Sequence, residues 1–276
     1  MMSFFFTKNL NFVAKVTFFL YFCGMISKNL IKLIKSLEHK KYRRREQLFV
    51  AEGPKVVNDL MAVRKPQRIV ATEKWFINNN IAPDVVVTED ELRKVSFLQH
   101  PQEVLALFPL PKPDDEIPQG LEHQLSLALD DVQDPGNLGT IIRIADWFAI
   151  EHIFCSSATA DAYSPKVIQS TMGSIARVNI HYMELAELFK QLDGRVPIYG
   201  TFLDGTSLYK QTDYSQGIIV MGNEGNGISP ETAAYINRRL LIPSFPEGHP
   251  TADSLNVAVA TAITCAEFRR RQLTSK

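Results

Sequence analysis

A Gly-rich loop, Gly222-Asn223-Glu224-Gly225-Asn226-Gly227, directly follows the apolar run Gly217-Ile218-Ile219-Val220-Met221. Such a run reads as a buried strand. Glycines at its end leave backbone N–H groups open and let a ligand approach the main chain. Farther on, Leu240-Leu241-Ile242 runs into Pro243. Ser254-Leu255-Asn256-Val257 then opens a helix that is apolar almost all round, through Val257, Val259, Ala260, Ile263 and Ala266. Two strand ends and a helix start, lined with small and polar residues, make a concave site suited to a flat, polar cofactor. Glu224, Ser254 and Asn256 are the polar side chains of that site.

A second block lies upstream. Leu125–Asp130 reads as a strand that runs into Asp131-Val132-Gln133-Asp134-Pro135-Gly136-Asn137-Leu138-Gly139-Thr140. A helix with Ile141, Ile142, Ile144, Ala145 and Phe148 follows, and Arg143 lies on it six residues after Asn137. Each polar residue has a plain reading. Asn137 after Pro-Gly suits a helix N-cap, and Arg143 could pair with Asp146 along the helix. Glu224 could be an exposed carboxylate, and Ser254 and Asn256 could cap the last helix. Arg143 nevertheless sits on a largely apolar segment and needs an anionic partner, which a phosphate would supply.

These residues must be placed by the elements around them. From residue 125 on, strand-like and helix-like segments alternate: 125–130, 137–149, 151–155, 165–172, 178–182, 184–192, 197–202, 217–222, 230–237, 239–242 and 254–271. Alternation of this kind predicts an α/β fold with a mostly parallel sheet and helices on both faces. Residues 109–120 form a Pro-rich connector and mark the expected domain boundary. Before it, Ile26, Leu30, Leu33, Ile34 and Leu37 share a helical face. Leu48–Gly53 reads as strand and turn, a helix follows through Val56, Val57, Leu60 and Met61, and Arg68–Ala71 and Asp84–Val87 read as strands. The expected organisation is therefore an extension over 1–24, a small α/β domain over 25–110, a linker over 111–120 and a larger domain over 121–276.

The Gly-rich loop is not a dinucleotide fingerprint. Its glycines are spaced G-x-x-G-x-G and its strand comes late in the domain. No GxSxG element is present. The six histidines show no metal-ligand spacing, so no metal is expected. The Arg269-Arg270-Arg271 run ends a helix, where positive charge suits the dipole.

The three blocks, in this order, closely resemble the three motifs of the SpoU/TrmH branch of the SPOUT RNA methyltransferases, over about residues 121–276. Asn137, Arg143, Glu224, Ser254 and Asn256 fall where that family places its functional side chains. The stretch from Ser244 to Asp253, with Pro246 and Pro250, is a few residues longer than the family's usual one. The resemblance implies a C-terminal trefoil-knot domain whose segments near 217–260 thread through a loop and bind S-adenosylmethionine. It implies cofactor contacts at Gly222, Ile242 and Leu255, with Gly200 and Thr201 lining the pocket, and a homodimer with the site near the interface. The implied reaction is methyl transfer to a ribose 2′-hydroxyl of RNA, with ribosomal RNA the first substrate class and transfer RNA the second. A non-catalytic RNA-binding protein of the same fold is the competing reading.

The segment from His39 to Val57 is similar to the small substrate-binding domain that often precedes SpoU catalytic domains. Residues 25–60 hold nine Lys and Arg against four Asp and Glu, with Lys40, Lys41, Arg43, Arg44 and Arg45 clustered. Phosphate contacts need such clustering, which makes these five the candidate RNA-binding residues. Over all 276 residues, thirty basic and thirty acidic side chains cancel, so any RNA-binding surface must be local. Cys23, Cys155 and Cys265 are widely spaced and suit a reducing compartment, the cytoplasm. The apolar run Val16–Ile26 is shorter than the roughly 20 residues a membrane span needs, and no small-x-small cleavage pattern follows it. Neither membrane insertion nor export is therefore expected. Met25 is the expected start, or residues 1–24 are dispensable.

Overall fold

The computed structural model describes residues 26–112, 116–192, 194–210, 216–246 and 252–274. The expected extension over 1–24 lies outside them. The chain divides into two compact units, one running to Leu110 with Tyr163–Pro165, the other Pro111–Ala162 with Lys166–Lys276.

The first unit opens with helix α1 (Lys28–Ser36). The Ser27 hydroxyl accepts the Leu30 N–H at 3.2 Å and caps its start. Its apolar face buries Leu30 and Ile34, and Leu37 beyond its end is fully buried. Helix α2 (Lys40–Glu46), strand β1 (Leu48–Glu52) and helix α3 (Pro54–Met61) follow. Then come β2 (Arg68–Ala71), α4 (Glu73–Asn79), β3 (Val85–Val86), α5 (Glu89–Val95) and β4 (Val104–Pro109). The sheet runs β1-β4-β2-β3, with β4 antiparallel to both neighbours and β2 parallel to β3. Strand β4 and helices α4 and α5 are additions to the sequence reading. A capping box between Thr88 and Glu91 starts α5.

Helix α2 corrects one expectation. Arg43 is among the five candidate RNA-binding residues, yet it is 3% exposed. Its Nη1 donates to the carbonyls of Leu37 (2.7 Å) and Glu38 (2.6 Å). The end of a helix leaves carbonyls without intrahelical donors. Arg43 serves those just past α1. Lys40, Lys41, Arg44 and Arg45 remain exposed. The Tyr42 ring has Lys41 Nζ and the Arg45 guanidinium each 4.8 Å from its centre.

The second unit begins with a short 3-10 turn (Leu121–His123) and alternates as predicted. Its elements are β5 (Leu125–Leu129), α6 (Pro135–Trp147), β6 (His152–Cys155), α7 (Pro165–Ser170), β7 (Asn179–Tyr182) and α8 (Leu185–Leu192). They continue with β8 (Ile198–Ser207), β9 (Gly217–Met221), α9 (Pro230–Ala233), β10 (Arg238–Leu241) and α10 (Val257–Thr274). The sheet order is β10-β8-β9-β5-β6-β7, and every pairing is parallel. Strands β5 and β9 lie side by side at its centre with every residue buried. The chain winds outward from β5 through β6 to β7, then returns to β8 and β9 on the other side. The carboxyl ends of β5 and β9 therefore flank a topological switch point, where open α/β sheets bind ligands.

Strand β8 is irregular. Tyr199 and Gly200 pair with Arg238 and Arg239, but the next pair is Thr206 with Leu240. Residues 201–205 are extra on the β8 side and bulge from the ladder. Gly205 has to lack a side chain, because a Cβ there would lie 2.6 Å from the Leu240 carbonyl carbon. Among the described residues no helix is long and apolar enough to cross a membrane.

Candidate functional site

The turn after β5 starts α6 with Asp134 as N-cap, whose carboxylate accepts the Asn137 N–H at 2.8 Å. Asp134 thus fills the capping role that the sequence also allowed for Asn137. The Asn137 side chain is released for other partners. Its Nδ2 donates to Glu224 Oε1 at 2.7 Å, across 87 residues of sequence. Its Oδ1 accepts from Asn256 Nδ2 at 2.9 Å, across 119 residues. Asn256 in turn caps α10, its Oδ1 accepting the N–H groups of Ala258 (3.0 Å) and Val259 (3.3 Å). The partners fix both amides. A carboxylate can only accept, so Asn137 presents its amino group to Glu224 and its oxygen to Asn256. Glu224, Asn137 and Asn256 form one directed chain that joins all three sequence blocks.

Glu224 lies in the Gly-rich loop, which has its own frame. Asn223 and Gly227 exchange both backbone hydrogen bonds at 2.9 Å. The Asn223 Oδ1 accepts the N–H groups of Gly225 (2.9 Å) and Asn226 (3.0 Å). Gly222 admits no side chain here, since a Cβ would lie 2.3 Å from the carbonyl carbon of Gly227. Gly227 has φ 70°, the left-handed region that glycine adopts without strain.

A cavity of about 490 Å³ opens against this loop. Its wall takes Thr201, Phe202 and Leu203 from the β8 bulge, Met221 and the whole Gly222–Ile228 stretch, Leu241 and Ile242 at the end of β10, and Asp253, Ser254 and Leu255 before α10. The volume falls within the roughly 300–1,000 Å³ of small-molecule sites. Of the expected cofactor contacts, Thr201, Gly222, Ile242 and Leu255 line the cavity. Gly200 sits one residue away inside the sheet, where a Cβ would lie 2.4 Å from Ile236 Cδ1. Its lack of a side chain serves packing. Ser254 lines the cavity and is exposed. The sequence reading did not single out Phe202, Leu203 or Asn223. The Asn-x-Gly spacing of Asn223 was the available signal, because an Asn side chain readily bonds to backbone two residues on.

Arg143 stands apart from this chain. Six residues along a helix turn it about 120° from the face of Asn137. It is exposed, and among the described residues its guanidinium has no hydrogen-bond or ion-pair partner. Asp146 instead pairs with Arg177 at 2.7 Å. Helix α10 is anchored from its far end. Arg269 donates to the carbonyls of Phe148 (2.7 Å) and Ala149 (2.9 Å), and Arg271 to that of Tyr209 (2.7 Å). Arg270 and Arg271 hydrogen-bond Glu267 and hold its carboxyl down at about 2. Burial pushes the Cys265 thiol up to about 12. Among the described residues no cluster of three or more His, Cys, Asp or Glu side chains could hold a metal ion.

Comparison with known proteins follows the same two-unit division. The SpoU rRNA Methylase family matches residues 124–266, and the MRM3-like substrate binding domain matches residues 28–106. The chain is 29% identical over 252 residues to the 23S rRNA (guanosine(2553)-2′-O)-methyltransferase RlmP of Bacillus subtilis, covering 87% of this chain and 95% of that one. A TrmH-family protein from Porphyromonas gingivalis superposes with a TM-score of 0.81 at 40% identity, over 90% of this chain and 100% of the other. An AdoMet-bound rRNA methyltransferase from Sinorhizobium meliloti superposes with a TM-score of 0.77 at 31% identity, over 88% of this chain and 95% of the other. The chain belongs to the SpoU rRNA methylase family.

Proposed function

We propose that this protein transfers a methyl group from S-adenosylmethionine to a ribose 2′-hydroxyl of ribosomal RNA. The observation that carries the reading is the Glu224–Asn137–Asn256 chain beside the cavity. Three blocks far apart in sequence converge there, in a family whose relatives bear that activity in their names.

The cavity fits the cofactor. The glycine at 222 lets the two sides of the Gly-rich loop close on each other, and that loop lines the cavity with backbone polar groups. Thr201, Gly222, Ile242 and Leu255 would hold S-adenosylmethionine, which supplies a methyl group already activated on a sulfonium. The protein's remaining task is alignment and charge stabilisation. A guanidinium is a poor base. The exposed Arg143 guanidinium would hold the target phosphate and stabilise negative charge developing on the 2′-oxygen. Asn137, Glu224, Asn256 and Ser254 would fix the ribose and the neighbouring loops. Lys40, Lys41, Arg44 and Arg45 would meet RNA phosphates through the first domain.

The same reading includes a homodimer through the C-terminal domain and a cytoplasmic location. Trp147 at the end of α6 is 84% exposed, and Val259 and Leu273 on α10 are 49% and 78% exposed. These exposed apolar side chains on α6 and α10 support the placement of a partner protomer there. Titration calorimetry of the full chain with S-adenosylmethionine tests the cofactor assignment. Saturable binding at one site per chain is expected, and a folded preparation that binds none overturns it.

A further inference from the structure

The Gly-rich loop is tied at both ends to the two residues that follow β5, and the catalytic reading uses neither tie. At the far end, Asp130 Oδ2 accepts the Ser229 N–H at 2.8 Å and the Ser229 hydroxyl at 2.7 Å. Asp130 is 6% exposed. Among the described residues no cation faces it, and Ser229 supplies its side-chain hydrogen bonds. Ser229 also caps α9, its Oγ accepting the Thr232 N–H at 3.3 Å. At the near end, Asn223 Nδ2 donates to the Asp131 carbonyl at 2.8 Å.

Glu224 lies between these ties. Its partner Asn137 lies on the helix that the same Asp130–Asp134 turn begins. Both halves of the Asn137–Glu224 contact are thus referred to one short stretch of chain. A buried carboxylate is costly to desolvate, and two donors from one serine are the compensation this fold provides.

We infer that Asp130 is a positioning residue: through Ser229 it sets the Gly-rich loop against β5, and with it the cofactor cavity and Glu224. This rests on the methyltransferase reading of the site. The role depends on acceptor geometry and not on charge, because the Asp130 carboxylate bonds Ser229 and reaches neither a residue of the cavity wall nor the Asn137 chain.

The test uses the full chain with D130A, D130N and S229A. Affinities for S-adenosylmethionine and S-adenosylhomocysteine are measured by calorimetry, melting temperature beside them, and amide hydrogen exchange is followed at Gly225–Gly227. D130A should weaken both ligands by about tenfold or more and speed exchange in the loop. D130N should restore most of the lost affinity, since an amide oxygen can accept the same two hydrogen bonds. S229A should fall between them. Unchanged affinity and loop exchange in D130A overturn the inference, as does a lower melting temperature alone. If D130N is as impaired as D130A, or loses only the cationic ligand, the carboxylate acts by charge and the positioning role is wrong. A wild-type chain that binds neither ligand contradicts the methyltransferase reading instead, and the exchange rates then decide on Asp130 by themselves.

Discussion

The Glu224–Asn137–Asn256 chain and the Lys40–Arg45 helix are two polar clusters built in opposite ways. The first gathers single residues separated by 87 and 119 positions, and each amide has its direction set by a partner. The second is one continuous run, in which burial separates Arg43 from its neighbours. Arg43 completes the fold, while Lys40, Lys41, Arg44 and Arg45 face solvent. Long-range convergence points to a site where geometry matters. A local run of like charge points to a surface where number matters. Substitutions in the first region should therefore change rate, and those in the second should change affinity and its salt dependence.

The largest effect is expected at Arg143, whose exposed guanidinium we assign to the same reaction as the first region. Arg143→Ala should lower single-turnover methyl transfer by about a hundredfold or more. Its affinity for S-adenosylmethionine should stay within error by calorimetry, because Arg143 does not line the cavity. Near wild-type turnover would remove Arg143 from the reaction.

Next comes the basic helix. Replacing Lys40, Lys41, Arg44 and Arg45 together with Gln should weaken RNA binding and flatten its dependence on salt. The log–log slope should fall by up to about 0.9 for each phosphate that is no longer neutralised. The rate from the saturated complex should hold. Filter binding across a salt series measures the slope, and an unchanged slope would make the cluster an ordinary solvated face.

Arg43 sharpens the contrast from within the same helix. Arg43→Ala leaves the carbonyls of Leu37 and Glu38 without these donors. About 1–3 kcal/mol of stability should be lost in urea unfolding, with the salt slope of RNA binding retained. Loss of slope with stability intact would return Arg43 to the RNA-facing group.

The smallest effect concerns pH. Glu267 has its carboxyl held down at about 2 by Arg270 and Arg271, from an ordinary 4.5. A depressed carboxyl contributes stability that is fully present above the unfolded value and is lost as pH falls through the folded one. Wild-type stability should therefore drop more than that of Glu267→Gln between about pH 4.5 and pH 2. Parallel pH profiles in thermal melts would dismiss the contribution.

Much of this was legible beforehand. Alternation of apolar segments identified the parallel sheet, and strand Arg68–Ala71 appears with the predicted limits. Asn137, Glu224 and Asn256 stood out by type and order, but their contacts depend on strand order β9-β5, which no local pattern encodes. Asn137 looked like a cap because it follows Pro-Gly, but Asp134, three residues earlier, takes that role. Arg43 was indistinguishable from Arg44 and Arg45, since its burial depends on where α1 ends relative to α2. Strand β4 was obscured by the Pro-rich connector into which it runs, although it lies between β1 and β2. Gly200 carries a packing constraint that only the position of Ile236 reveals.

Methyl transfer to a ribose oxygen is the central claim. The direct measurement incubates the purified full chain with ribosomal RNA from cells lacking its gene and methyl-labelled S-adenosylmethionine, then digests the RNA to nucleosides for mass spectrometry. Label is expected in one 2′-O-methylated nucleoside, abolished by Arg143→Ala. Label on a base, or no label in RNA from a chain that binds the cofactor, would contradict the claim.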